Sequence, residues 1–108
     1  MAGVLGQTVA APDSYAPEIL EPIQRVGRET GVPYGWDVWH LYELSWCVGD
    51  SVSHWVGWLS IPAHSPATVE SKSLKLYLNS LNFHRFDSDD EAFAAIVSDI
   101  SRVAGETV

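Results

Sequence analysis

The residues with the clearest capacity for chemistry form one run, Glu70-Ser71-Lys72-Ser73-Leu74-Lys75-Leu76-Tyr77, followed by Leu78-Asn79-Ser80. Thr68 can cap a helix that begins here, which places Glu70 in the first turn, where a carboxylate suits the macrodipole. Free backbone N–H groups at such an end already favour an anion, and Ser71 and Lys72 add a hydroxyl and an ammonium beside them. A carboxylate also accepts two parallel N–H bonds, as the N1–H and exocyclic amine of a guanine-like base offer. One helical turn therefore has the parts to hold a base through Glu70 and a phosphate through Ser71 and Lys72. The residue types alone leave a plainer alternative open, in which Glu70 is only a helix-start acid.

Those residues sit in an unusual charge setting. The 108-residue chain has a formal charge of −8. Between Glu70 and Phe86, however, Lys72, Lys75 and Arg85 stand against the single acid Glu70, a net of +2 that leaves −10 on the rest. Such a window reads either as a helix with two solvated lysines or as a pocket for a phosphorylated ligand. The acidic total argues against a nucleic-acid partner, since neutralising phosphates takes clustered Lys and Arg. There is no apolar run of membrane-spanning length, so no membrane partner is expected. Met1 to Gly6 lacks the basic start of a signal peptide. Cys47 is the single cysteine, which excludes an internal disulfide or a multi-cysteine metal cage, and no histidine has metal-ligand spacing. These features point to the cytoplasm and to a chain without a metal centre.

The elements that position the motif read as one small α+β unit. Residues 1–35 hold Pro12, Pro17, Pro22 and Pro33 and form an irregular arm whose Ile19, Leu20 and Ile23 need something to pack on. Residues 36–61 form a hairpin. Trp36, Val38, His40, Tyr42, Leu44 and Trp46 alternate along its first strand, a Gly49-Asp50-Ser51 turn follows, and Trp55, Gly57, Leu59 and Ile61 share one side of the second strand. All five tryptophans lie within these 23 residues from Trp36 to Trp58, which suits a core or an interface. The motif helix spans 69–82, with Leu74, Tyr77, Leu78 and Leu81 as its apolar stripe. A second helix spans 89–104, opened by a capping box from Ser88 to Glu91, packed through Phe93, Ile96, Val97, Ile100 and Val103, and stopped at Gly105. The order strand, strand, helix, helix leaves sheet edges open, so the chain is expected to bind a partner or itself.

The octapeptide Glu70 to Tyr77 resembles the signature motif of QueF, the NADPH-dependent 7-cyano-7-deazaguanine reductase family of queuosine biosynthesis. Asp37-Val38-Trp39, Leu41 to Trp46, Asn82, Arg85-Phe86 and the arm residues Leu5-Gly6-Gln7, Ser14-Tyr15 and Leu20 are similar to the N-terminal module of its bimodular form. The resemblance implies a tunnelling fold, a ββααββ domain of which this chain carries the leading ββαα part, with sheets that join across subunits or modules into a barrel. It implies that Val69, Glu70 and Ser71 contact the deazaguanine and that Ser71 and Lys72 contact NADPH. The family reduces a nitrile to a primary amine with two NADPH, a cysteine thiolate attacking the nitrile carbon to form a thioimide and an aspartate donating a proton.

This sequence departs from that pattern in its nucleophile. Cys47 lacks the cysteine-then-aspartate context of the family's catalytic segment and reads as a buried or turn thiol. Asp37 and Glu43, six apart on one strand, make no acid/base pair. No catalytic residue is therefore assigned, and no reductase activity is expected of the chain by itself. Two readings remain: the substrate- and cofactor-binding part of a nitrile reductase, whose partner is a catalytic module or another copy, or a non-catalytic purine-binding or assembly module. A different tunnelling-fold purine or pterin binder is a third, against which the octapeptide argues.

Overall fold

A computed structural model describes residues 14–25 and 35–108. After a short 3-10 turn at Pro17–Ile19 come strand β1 (Pro22–Gln24), the long strands β2 (Trp36–Val48) and β3 (Ser51–Pro62), β4 (Ala67–Val69), helix α1 (Ser71–Ser80), β5 (Arg85–Phe86) and helix α2 (Asp89–Ala104). The mixed α+β character holds, with two antiparallel pairings and two helices.

The hairpin follows from its sequence. Gly49, at φ +60°, opens a two-residue turn between Val48 and Ser51, a conformation that costs glycine little and matches the twist of the flanking strands. The simple alternation along β2 fails, however. The register shifts between Leu41 and Leu44, where β2 carries one residue more than β3. This bulge turns the apolar side over. Trp36, Val38, His40 and Tyr42 are exposed, whereas Leu44 and Trp46 on the far side of the bulge join Leu41 in the core.

That core unites Leu41, Leu44, Trp46, Leu59 and Ile61 of the hairpin with Leu74, Tyr77 and Leu81 of the α1 region and Ala92, Ile96, Ile100 and Ala104 of α2. Helix α2 runs over the expected residues. Ser88 Oγ accepts from Glu91 N–H at 3.1 Å, while the Glu91 carboxylate reaches back to Asp87 N–H rather than to Ser88. Its inner face includes Ala92 and Asp99; Val97, expected inside, is exposed. Gly105 ends it at φ +79°. Trp46 is fully buried, and its indole N–H donates to Asp89 at 2.9 Å, which ties the hairpin to the start of α2.

Three short strands were not expected. In the arm, β1 pairs antiparallel with β4, Pro22 opposite Val69, so this part of the arm lies against the domain; residues 1–13 and 26–34 of the arm lie outside the described residues. β5 pairs parallel with the end of β2 at Cys47 and Val48 and covers part of that edge. The outer edge of β3 has no partner among the described residues. Beside it lies a bare apolar face, with Trp58 72% and Tyr42 74% exposed and Trp36, Val38 and Val56 also uncovered. Among the described residues no helix is long and apolar enough to cross a membrane.

Candidate functional site

Strand β4 delivers the motif. Its pairing with β1 uses Thr68, opposite Ile23, as a strand residue, so Thr68 does not cap the helix. The chain leaves the strand at Val69, which is buried, and Glu70 takes the cap position in extended conformation. Helix α1 then runs from Ser71 to Ser80, shorter at both ends than the 69–82 expected.

The Glu70 side chain folds over the end of its own helix. Its carboxylate accepts from Lys72 N–H at 2.6 and 3.1 Å and from Ser73 N–H at 3.2 Å to each oxygen. These are two of the donors a helix start leaves unmet. Glu70 is only 4% exposed. Its backbone is fixed as well. Glu70 N–H donates to Glu21 C=O at 2.9 Å, Ser73 Oγ donates to Glu70 C=O at 2.8 Å, and Glu21 N–H donates to Ser73 Oγ at 3.0 Å. Glutamate is a poor choice for capping alone, since Ser, Thr, Asp and Asn lead at that position. Glu70 therefore departs from the residues that capping alone would favour at this position.

Ser71 and Lys72 stand exposed beside Glu70, and Lys75 follows one turn on. Neither lysine forms an ion pair among the described residues, which leaves both ammonium groups available to an anion. A cleft of about 400 Å³ opens between α1 and β2, with Ser71, Leu74, Lys75 and Asn79 on one wall and Trp39 to Glu43 on the other. Trp39 Nε1 is buried there and meets no acceptor among the described residues. The bulge forms the common boundary with a second cleft of about 510 Å³, which shares Tyr42, Glu43 and Asn79 and adds Ser45, His54, Trp55 and Asn82.

The structure therefore brings Val69, Glu70, Ser71 and Lys72 together at one junction, with Val69 and Glu70 turned inward and Ser71 and Lys72 outward. Cys47 is elsewhere. It is half-buried at the end of β2, its thiol 3.9 Å from Asn82 C=O, and it lines neither cleft. Asp37 pairs with Arg25 at 2.5 Å, which accounts for that carboxylate structurally. No group of three or more His, Cys, Asp or Glu side chains is placed to hold a metal among the described residues. Sequence reasoning gave no role to Glu21 and Ser73, which brace Glu70, or to Tyr15 and Asp99, which join Tyr77 towards the far end of α1. The available signal was Ser73, Tyr77 and Ser80 at i, i+4 and i+7, a polar seam along a helix read for its apolar stripe of Leu74, Tyr77, Leu78 and Leu81.

The described residues thus place a buried acid beside an exposed hydroxyl and ammonium on an α+β scaffold, the layout of a candidate ligand-binding site. The family model described as "Nitrile reductase, 7-cyano-7-deazaguanine-reductase N-term" matches residues 11–108, and the chain belongs to this QueF N-terminal family. Relatives include the NADPH-dependent 7-cyano-7-deazaguanine reductase of Acinetobacter baylyi, 42% identical over 112 residues, and that of Xanthomonas campestris pv. campestris, 45% identical over 118 residues. The alignments cover 97% and 96% of this chain but 41% of each relative, so the chain spans about two-fifths of the curated relatives' length.

Proposed function

We propose that this chain is the N-terminal substrate- and cofactor-binding part of an NADPH-dependent nitrile reductase that converts 7-cyano-7-deazaguanine to 7-aminomethyl-7-deazaguanine on the route to queuosine. The observation that carries the reading is the Glu70 carboxylate, buried at the start of α1 with Ser71 and Lys72 exposed beside it. Lys72 and Ser73 N–H are each shared between the two carboxylate oxygens, so only two donors engage it, and if each N–H kept a single oxygen, one acceptor site on each oxygen would be left for a base. The base N1–H and exocyclic amine take the remaining sites, and the part of the helix-start field now directed at Glu70 holds its charge in place.

NADPH supplies hydride, and the full reaction consumes two NADPH and two protons per nitrile. The residues at hand suit its phosphates: Lys72 is an exposed, unpaired cation and Ser71 an exposed hydroxyl at a helix start. What this chain contributes is grip and orientation; the nucleophile comes from a catalytic module. The bare face of β2 and β3 and the open β3 edge fit a tunnelling fold, closed into a barrel by strands from that module or from another copy. The setting is cytoplasmic.

The test is calorimetric titration of 7-cyano-7-deazaguanine into the wild-type chain and into Glu70→Gln. Glutamine presents an amine to a donor edge, and a hydrogen bond to a charged group is worth about 1.5–3 kcal/mol, so affinity should fall roughly 10- to 100-fold. Equal affinities would remove Glu70 from base recognition. NADPH oxidation by the 108-residue chain alone would contradict the division of labour.

A further inference from the structure

The arm preceding the hairpin runs along α1 and is fastened at both ends of that helix. At the far end, Ala16 N–H donates to Ser80 Oγ at 3.2 Å. The Tyr15 phenol donates to Asp99 Oδ2 on α2, and the Tyr77 hydroxyl donates to the same oxygen at 2.8 Å. Asp99 is 7% exposed, with the Arg102 guanidinium 4.0 Å from its other oxygen. At the near end, Glu21 bonds both Ser73 and Glu70, and Pro22 stands opposite Val69. Ser73 and Ser80 are seven residues apart, about 10 Å along the helix. The arm is thus a strap between a buried acid–phenol anchor and the backbone of the candidate base-binding residues.

We propose that Tyr15 and Asp99 are positioning residues for Glu70: by anchoring residues 15–21 along α1, they hold Glu21 against the Glu70 N–H and so fix where the Glu70 carboxylate points. This rests on the reading of Glu70 as the base acceptor. Burying a carboxylate is costly unless it is paired, and three segments supply its partners here, the arm, α1 and α2. The anchor therefore forms only when all three are in register. Removing the Tyr15 hydroxyl leaves the ring to pack on Tyr77, His84 and Phe86, with centroids 6.3, 5.0 and 6.1 Å away, and deletes the donor alone.

Amide hydrogen exchange of the wild-type chain, Tyr15→Phe and Asp99→Asn reads the strap without any ligand. Glu70 and Glu21 N–H, whose acceptors depend on arm docking, should exchange about fivefold faster in Tyr15→Phe, while Leu78 in α1 and Ile100 in α2 keep their protection. Asp99→Asn should act in the same direction. Calorimetry with 7-cyano-7-deazaguanine then separates positioning from general stability. Tyr15→Phe should weaken binding about three- to tenfold in the wild-type background and not at all in Glu70→Gln, because its effect passes through that carboxylate. Unchanged Glu70 exchange, uniform acceleration across the domain, or an equal affinity loss in both backgrounds would each overturn the proposal. If Glu70→Gln alone leaves affinity unchanged, the base reading fails, and the exchange data still decide whether the strap exists.

Discussion

Substituting Glu70 separates its two duties, capping α1 and meeting a ligand. Alanine removes both carboxylate oxygens, so Lys72 N–H turns to solvent and the buried Ser73 N–H loses its acceptor. Loss of a cap costs about 1 kcal/mol, and an orphaned buried donor adds about 1–3 kcal/mol. Glu70→Ala should therefore destabilise the domain by about 2–4 kcal/mol, and for a chain of this size each kcal/mol lowers the melting temperature by about 4–8 °C. Glutamine keeps one acceptor oxygen and loses the charge–dipole attraction, about 0.3–1 kcal/mol. Serine is itself a preferred cap, so Glu70→Ser should lie within about 0.5 kcal/mol of wild type while lacking any carboxylate for a base. Urea unfolding followed by tryptophan fluorescence and far-UV circular dichroism measures this series. The expected order is wild type close to serine, then glutamine, then alanine, with a constant denaturant slope. Alanine as stable as wild type would show that the carboxylate is not spending its lone pairs on the helix.

Further expectations concern the frame. Bonds from Ser53 Oγ and Trp46 Nε1, in that order of effect, hold the Asp89 carboxyl below its usual range. Its contribution is therefore present above the ordinary aspartate pKa and is lost as pH falls through the lowered value. Asp89→Asn should be less stable than wild type at pH 7 and converge with it in acid, once the pH falls below the lowered value, in acid titrations of stability. Burial, then the bond to Asp99, pushes Tyr15 up to about 12 and Tyr77 higher still. Their neutral forms favour the folded state, so this contribution is complete below pH 10 and lost above it. Tyr15→Phe should blunt the alkaline loss of stability, and phenolate absorbance measured alongside should assign the transition. The bare sheet face predicts self-association. Trp58→Ser, which removes a 72% exposed indole, should raise the dissociation constant in sedimentation experiments without changing the melting temperature of the monomer.

How far the sequence could be read followed the length of each element and whether its signals agreed. The bounds of helix α2 were legible because Ser88, the Ile96 and Ile100 spacing and Gly105 all point the same way, although Val97 proved exposed and Asp99 buried. The hairpin was legible from its tryptophans and Gly49, but the bulge at Tyr42 and Glu43 was not. One added residue leaves composition untouched and reverses every side chain beyond it. β1, β4 and β5 run three, three and two residues, too short to show a period, and two of them exist through contacts far along the chain. Thr68 has the better capping side chain, yet pairing of β4 with the arm claims it, and the cap falls to Glu70. The motif was readable as chemistry because acid, hydroxyl and ammonium are adjacent in sequence. Its frame was not, because Glu21 meets Ser73 across 52 residues, Asp99 meets Tyr77 across 22, and Tyr15 meets Asp99 across 84.

The decisive measurement is the structure of the chain crystallised with excess 7-cyano-7-deazaguanine. The ligand's N1 and exocyclic nitrogen should both lie about 2.7–3.1 Å from the Glu70 carboxylate, with Ser71 and Lys72 open on the side where phosphates would sit. A bound base that leaves Glu70 untouched, its carboxylate still closed over Lys72 and Ser73 alone, would contradict the assignment.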